Sequence, residues 1–348
     1  MALLPPPRLK DLDNRTGLTV FQYDKMAPGR VFCDVVAVKA AFALTPEGLL
    51  PIPGPGAIYL ADTHRQEDDP TGSSLVEVGD LILGKPGADI FLTGSARSER
   101  PSERWRVGVT VGRLERPLAQ VECAVTGPRS WRHSSSKGWH LGPADVTNAV
   151  PIHYELAYGG RKPNPEKPRD QWDAFAANPS GSGYDFDAYS TADTPPGPQW
   201  EPAGGFDASG TRELIGLGPV ARFWASRRQF AGTYDEAWRR QFEEEAIPDY
   251  PPDFDQRFFQ CAHPQLQTSA PLRGDEDLHL SGLLAETAHL ATRLPGFAVV
   301  ASWGEREAAL LLDTVHVDLD DRVLQLGWHL TLPQHLGIEH VGLNLERL

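Results

Sequence analysis

The residues of this chain that could do chemistry are few and scattered. Asp253 and Asp255 flank Phe254, with Asp235 upstream in the same region. Carboxylates held close together can divide general acid and general base work between them. One reading of the sequence is therefore a hydrolase or lyase with a carboxylate site near Asp235, Asp253 and Asp255. The simpler reading of Asp253 is a helix cap, because an aspartate before a helix accepts an orphan backbone amide. Cys261 and His263 could serve as nucleophile and base only if folding joined them, and residues two apart on a helix point in different directions. His64, Glu67, Asp68 and Asp69 fit no metal-ligand spacing and read as a solvated acidic loop. Gly84-Lys85 precedes a proline and lacks the rest of a phosphate loop, and the run NPSGSG (178–183) reads as a turn. His316 and His329 fall in strand-like runs, where a single histidine is more often structural than a ligand. Zinc, calcium, dinucleotide and nucleophile-elbow motifs are absent. The sequence thus gives no catalytic residue, metal site or cofactor, and the chain reads as a non-enzyme.

The elements that would carry these groups centre on 216–267. Pro219 is suited to the first position of a helix, and Val220, Phe223 and Trp224 then share a face. Arg227 and Arg228 suit that helix's C-terminal end. Gly232 makes a turn, and Thr233 with Glu236 forms a capping box for a second helix that pairs Trp238 with Phe242 and stops at Pro248. After the extended Pro251-Pro252 link, Asp253 caps a third helix carrying Phe254 and Phe258, which Pro264 ends. Capped helices with this many large aromatics read first as core, so Tyr234, Trp238 and Phe254 are expected mainly to pack.

Composition sets the wider frame. The chain has 348 residues, enough for a sizeable core, and its 31 prolines and 33 glycines point to many turns and short elements. A net charge of −14 argues against nucleic acid and anionic membranes as partners and allows steering toward a basic protein. Cys33, Cys123 and Cys261 are odd in number and far apart, which fits a reducing compartment. MALLPPPRLK is no signal peptide, and no apolar run approaches the ~18 residues of a membrane span. A cytoplasmic protein is expected.

Along the chain, 17–25, 31–44, 75–83, 90–93, 105–111 and 118–126 read as strands, with the last two forming an antiparallel hairpin. The run 31–44 is apolar on both faces and reads as a buried central strand. Alternating strands return at 298–303, 308–318 and 322–330. The fold class is α+β, predominantly β, with antiparallel sheets or a sandwich and a few short helices within about 216–262. We read one domain over 1–348, divisible into a β-rich half (1–145) and a mixed half (146–348). Within the second half, 161–210 is irregular yet holds Trp172, Phe175, Tyr184, Phe186, Tyr189 and Trp200. Disordered linkers are poor in aromatics, so this segment is expected to lie pinned across a folded surface.

The ordered blocks KPGADIFLTG (85–94), TGPRSW (126–131), VPIHYELAYGG (150–160), NPSGSG (178–183), GLGPVARFWASRRQFAGTYDEAW (216–238), PPDFDQRFF (251–259), HPQLQ (263–267), GDE (274–276) and LLDTVHVD (311–318) cover nearly the whole chain. Together they resemble the bacterial domain-of-unknown-function 2169 family. The chain departs from that pattern at Leu217, Gly127-Pro128 and His329. The resemblance implies a cytoplasmic adaptor or chaperone of type VI secretion, which binds a toxic effector and helps load it onto the spike protein or its PAAR tip. It makes Tyr158, Gly159, Gly160, Trp224, Arg227, Gly232, Thr233, Tyr234, Asp235, Trp238, Asp253, Phe254 and Asp255 motif residues with structural roles. Partner recognition is then expected on the aromatics of 161–210.

Overall fold

The computed structural model describes residues 9–54, 56–168, 171–186, 189–206, 213–245 and 249–348. Strands dominate, and most pairings are antiparallel, as expected. The largest sheet runs in the order Thr19–Ala27, Val31–Thr45, Val323–Pro333, Leu311–Asp318, Asp89–Thr93, with Gly48–Pro51 also paired to Val31–Thr45. Its last pair is parallel. A five-stranded antiparallel sheet runs Trp200–Pro202, Arg116–Thr126, Arg104–Arg113, Asp277–Leu284, Thr287–Arg293. A four-stranded sheet sets Asp11–Asn14 parallel to His340–Arg347, followed by Phe297–Trp303 and Arg306–Ala309. Both large sheets interleave strands from before and after residue 145, and one contiguous hydrophobic cluster joins side chains of all three sheets.

The apolar run 31–44 is the buried strand its sequence suggests, with an unbroken buried stretch from Cys33 to Ala40. The hairpin is tighter than the pattern implied, because Arg113 pairs directly with Arg116. The run 75–83 yields only the strand Leu75–Glu77. Ser95–Ser102 (SARSERPS) is a strand that its polar sequence conceals; it pairs with Thr147–Pro151. The three cysteines are free and buried, and among the described residues no helix is long and apolar enough to cross a membrane.

The helical stretch departs from expectation in all three parts. Pro219 starts no helix: the first helix is Ala225–Arg228, while Val220 and Trp224 are buried in a satellite cluster with Tyr154 and Phe223 faces out. The second helix is Glu236–Glu244, capped by Asp235, whose carboxylate accepts the Trp238 amide at 2.9 Å. Thr233 instead donates through its amide (2.8 Å) and hydroxyl (2.7 Å) to Asp253. Asp253 is thereby spent across the turn, and Asp255 caps the third element, a 3-10 helix over Gln256–Phe259. Pro248 lies outside the described residues.

The irregular segment is held as expected, and its aromatics do the holding. Tyr158–Gly159 pairs with Ser182–Gly183, and Arg161–Lys162 with Asp173–Ala174. The buried Asn178 donates its amide to Tyr154 O (2.8 Å) and Tyr158 O (3.1 Å). Phe186 stacks on Trp139 (4.9 Å between centroids) and meets the edge of buried Trp131 (4.8 Å). Tyr158, Phe175 and Tyr184 extend the contacts. Gly159 has a φ of 156°, and a β-carbon there would sit 2.1 Å from Asn178 O. Gly159→Ala should therefore cost at least about 2 kcal/mol of stability, read as a lowered urea midpoint, because the clash is with backbone that cannot yield.

Candidate functional site

Two features stand out from the packed body. The first is an arm built by Gly232 to Glu245 together with Asp249 and Tyr250. Its helix Glu236–Glu244 buries no residue. Tyr234, Trp238 and Phe242 recur at four-residue spacing and form a ladder, with centroids 4.7 Å and 5.2 Å apart. Tyr234 is 56% exposed and Phe242 50%, so the ladder faces solvent instead of packing as core. Trp238 is half-buried and donates its indole N–H to Asp249 O at 2.9 Å. Asp249 in turn accepts the Gly29 amide at 3.1 Å, and Arg30 pairs with Glu245, which ties the arm to the turn before the central strand. At the arm's root, Gly232 adopts a φ of 85° against Pro251. Buried Arg227 donates to Val220 O (2.9 Å) and Phe258 O (3.1 Å), while Phe254 clusters with Tyr250, Phe258 and Phe259.

The second feature is a cavity of about 290 Å³ over one face of the largest sheet. Strand alternation sends Val38, Trp328, Val315 and Ile90 into the core and leaves Lys39, Gln325, Thr314, His316 and Phe91 on the opposite face. Residues 75–82 and Tyr59 roof that face. The roof is tied down through Asp80, whose carboxylate pairs with Lys39 at 2.7 Å and accepts the Tyr59 amide at 2.7 Å. At the cavity's edge lies a buried charged network. Lys85 Nζ meets Asp89 at 2.8 Å and donates to Thr314 Oγ1 at 2.7 Å. Asp313 accepts the Lys85 amide at 3.1 Å and pairs with His329 Nδ1 at 2.9 Å. Burial alone would lower the Lys85 ammonium, but the Asp89 carboxylate, with smaller help from Asp313, holds it above its ordinary range. Burial would raise the Asp313 carboxyl, and His329 and Lys85 hold it below the usual carboxylate range.

His316 completes the cavity wall. Its ring stacks on Phe91 at 4.7 Å, and Nε2 lies 2.8 Å from Thr93 Oγ1. Thr93 donates to Asp318 at 3.2 Å, so its oxygen receives the Nε2 proton. Burial, aided by Lys39 and opposed by Asp318, lowers the His316 pKa to about 4.

The residues singled out in the sequence are distributed as follows. Asp235, Asp253 and Asp255 do not pool their carboxylates, since each holds nearby backbone amides and Asp255 also pairs with Arg257 at 2.6 Å. The Thr233 hydrogen bonds hold Asp253 below the usual carboxylate range, and those of Arg257 do the same for Asp255. Burial pushes the Cys261 thiol up, and His263 is engaged with Leu214 O and the Gln265 amide. The loop 63–74 is not simply solvated: Asp69 is buried and paired with Arg161. Among the described residues, no three histidine, cysteine or acidic side chains converge to hold a metal ion. Of the aromatics in 161–210, Trp200 is 1% exposed and donates to Pro151 O at 2.8 Å; Trp172, Phe175, Tyr184 and Phe186 are half-buried, and Tyr189 is exposed. Motif residues Tyr158, Gly159, Gly160 and Trp224 lie in the packed body. Sequence spacing did not reveal the cavity, although KPGADIFLTG supplies Lys85, Phe91 and Thr93 to its lining, and LLDTVHVD supplies Thr314, His316 and Asp318.

Three sheets around one core, a roofed polar sheet face and an exposed aromatic helix define a predominantly antiparallel β protein with few helices. The chain belongs to the family described as an uncharacterized protein conserved in bacteria, domain of unknown function 2169, whose model matches residues 30–329. No curated protein and no solved structure matches it.

Lys85→Met should cost roughly 3–5 kcal/mol in urea denaturation, because it strands Asp89 without its counter-charge. A double variant with Asp89→Asn should lose less than the two single losses together. His316 gives a pH dependence of fixed sign. Its folded pKa lies below the unfolded value, so its contribution is complete above pH about 6.5 and falls away as the pH drops toward 4. Wild type should lose up to about 3 kcal/mol across that window relative to His316→Phe.

Proposed function

We propose that this chain is a cytoplasmic adaptor or chaperone that binds a secreted toxin effector and assists its loading onto the type VI secretion spike protein or its PAAR tip. The reading joins the family resemblance to one observation: the Tyr234, Trp238, Phe242 ladder is presented on a helix with no buried residue. Large exposed aromatics on one helix face suit insertion into a partner's apolar groove, with anchors at four-residue steps. Tyr and Trp are also the side chains that most often carry interface energy. The arm is the recognition element in this reading, and the aromatics of 161–210 serve to hold their own segment to the body. Nucleic acid and membrane are not partners, and the net charge of −14 favours a basic cargo surface.

The test is binding of a purified toxin effector from the same bacterium, followed by calorimetry. Wild type should bind it, and Tyr234→Ala combined with Phe242→Ala should weaken binding at least about a hundredfold. The melting temperature should stay within about two degrees of wild type, since neither ring is buried. Undiminished binding by that variant, or no effector binding by wild type, would sink the proposal.

A further inference from the structure

The cavity over the large sheet has no part in the adaptor reading. The sheet face beneath it is polar, and an antiparallel sheet normally leaves such a face to water. Here residues 75–82 and Tyr59 cover it, and the roof is fixed rather than loose. Tyr23 donates its hydroxyl to Ile82 O at 2.6 Å, Thr331 donates to Leu83 O at 2.6 Å, and Asp80 is held by Lys39. The space of about 290 Å³ corresponds to roughly ten waters.

Lys39 is spent on Asp80 and Lys85 on Asp89 behind the wall, so neither lysine is left to meet an anion. An anionic ligand would find no free lysine there, whereas an uncharged one needs none. Two groups on the floor remain unspent. Among the described residues, no hydrogen bond reaches the Gln325 carboxamide or His316 Nδ1. The two residues are direct partners in the strand register, so they present adjacent functions. With Nε2 giving its proton to Thr93, His316 Nδ1 is an acceptor, and Gln325 offers both a donor and an acceptor. Gly327 lies in the register row of Lys39 and Thr314, and the Thr314 side chain takes the place a β-carbon would fill there. Leu75, Ile82 and Ile152 supply an apolar wall.

We propose that this cavity binds a small uncharged ligand carrying amides on either side of an apolar side group, the N–H of one on His316 Nδ1 and the carbonyl of the other on the Gln325 carboxamide. The shared chemistry is that of a capped amino acid, and it can come from a free small molecule or from a segment of a partner chain. The adjacent acceptor and donor match the N–H and carbonyl that one extended residue presents on the same side, from the two amides that flank its side group, and the apolar wall takes that side group.

The probe is N-acetyl-leucinamide, titrated into the full chain by calorimetry and by chemical-shift mapping. Wild type should bind it saturably, and Gln325→Leu, which keeps the side chain's bulk, should bind about tenfold more weakly. His316→Phe keeps the stack on Phe91 and should weaken binding similarly, which covers the case in which Gln325→Leu folds poorly. The Tyr234→Ala, Phe242→Ala variant should bind the probe as wild type does, so the cavity stands or falls separately from the arm. Displacement of the probe by the purified effector would assign the occupant to the partner chain, and simultaneous binding would assign it to a free molecule. No saturable binding by wild type, or binding indifferent to both cavity substitutions, overturns the proposal.

Discussion

An ammonium shut away from water needs its counter-charge inside the protein, and Lys85 finds it four residues along the chain in Asp89. Taking two such ions out of water costs several kcal/mol each, so the pair persists only where every other lone pair and proton is also met. That requirement reaches far along the sequence. Asp89 accepts the amides of Cys261 (2.7 Å) and Ala262 (3.1 Å), and the Cys261 carbonyl accepts the Val220 amide at 2.6 Å. The Lys85 amide holds Asp313, and Asp313 holds His329. One neutralisation problem thus fixes the turn before Asp89–Thr93, the end of the helical stretch and two C-terminal strands relative to each other. Apolar packing could supply the stability, but it tolerates sliding in a way that this set of directed bonds does not.

The aromatic side chains divide by what surrounds them rather than by their local pattern. The irregular segment has little backbone pairing of its own, so Trp131, Trp139 and Phe186 stack to hold it. The helix Glu236–Glu244 already satisfies its backbone internally and has a charged opposite side, so it can stand away from the body with its rings outward. Regular structure makes exposure cheap, and irregular structure makes burial necessary.

This contrast also explains what could be read in the sequence. Val31–Thr45 and the hairpin of Arg104–Arg113 with Arg116–Thr126 were legible because alternation and apolar runs are local signals. Ser95–Ser102 was not, because its side chains are polar and its pairing with Thr147–Pro151 depends on a distant segment. Pro219, Val220, Phe223 and Trp224 matched a helical face, yet the Val220 amide is taken by Cys261, a turn follows at Arg222-Phe223, and the helix begins only at Ala225. The capping roles shifted by two residues because Asp253 was claimed by Thr233 across the turn. The cavity was illegible for a stronger reason. Lys39, His316 and Gln325 become neighbours only through the register of three strands, and no spacing along the chain encodes that register.

The register has a temporal side as well. The longest ladder in the large sheet pairs Val31–Thr45 with Val323–Pro333, and Asp11–Asn14 lies beside His340–Arg347. During synthesis the second strand of that ladder emerges long after the first. Until then Val31–Thr45, one of the most apolar stretches in the protein, has only Thr19–Ala27 and the short Gly48–Pro51 beside it and lacks the partner of its longest ladder. Chains whose key pairings are this distant fold slowly and pass through states with open strand edges. For a protein of this topology, the vulnerable moment is birth: the interval in the cell when Val31–Thr45 has been made and its distant partner strand has not.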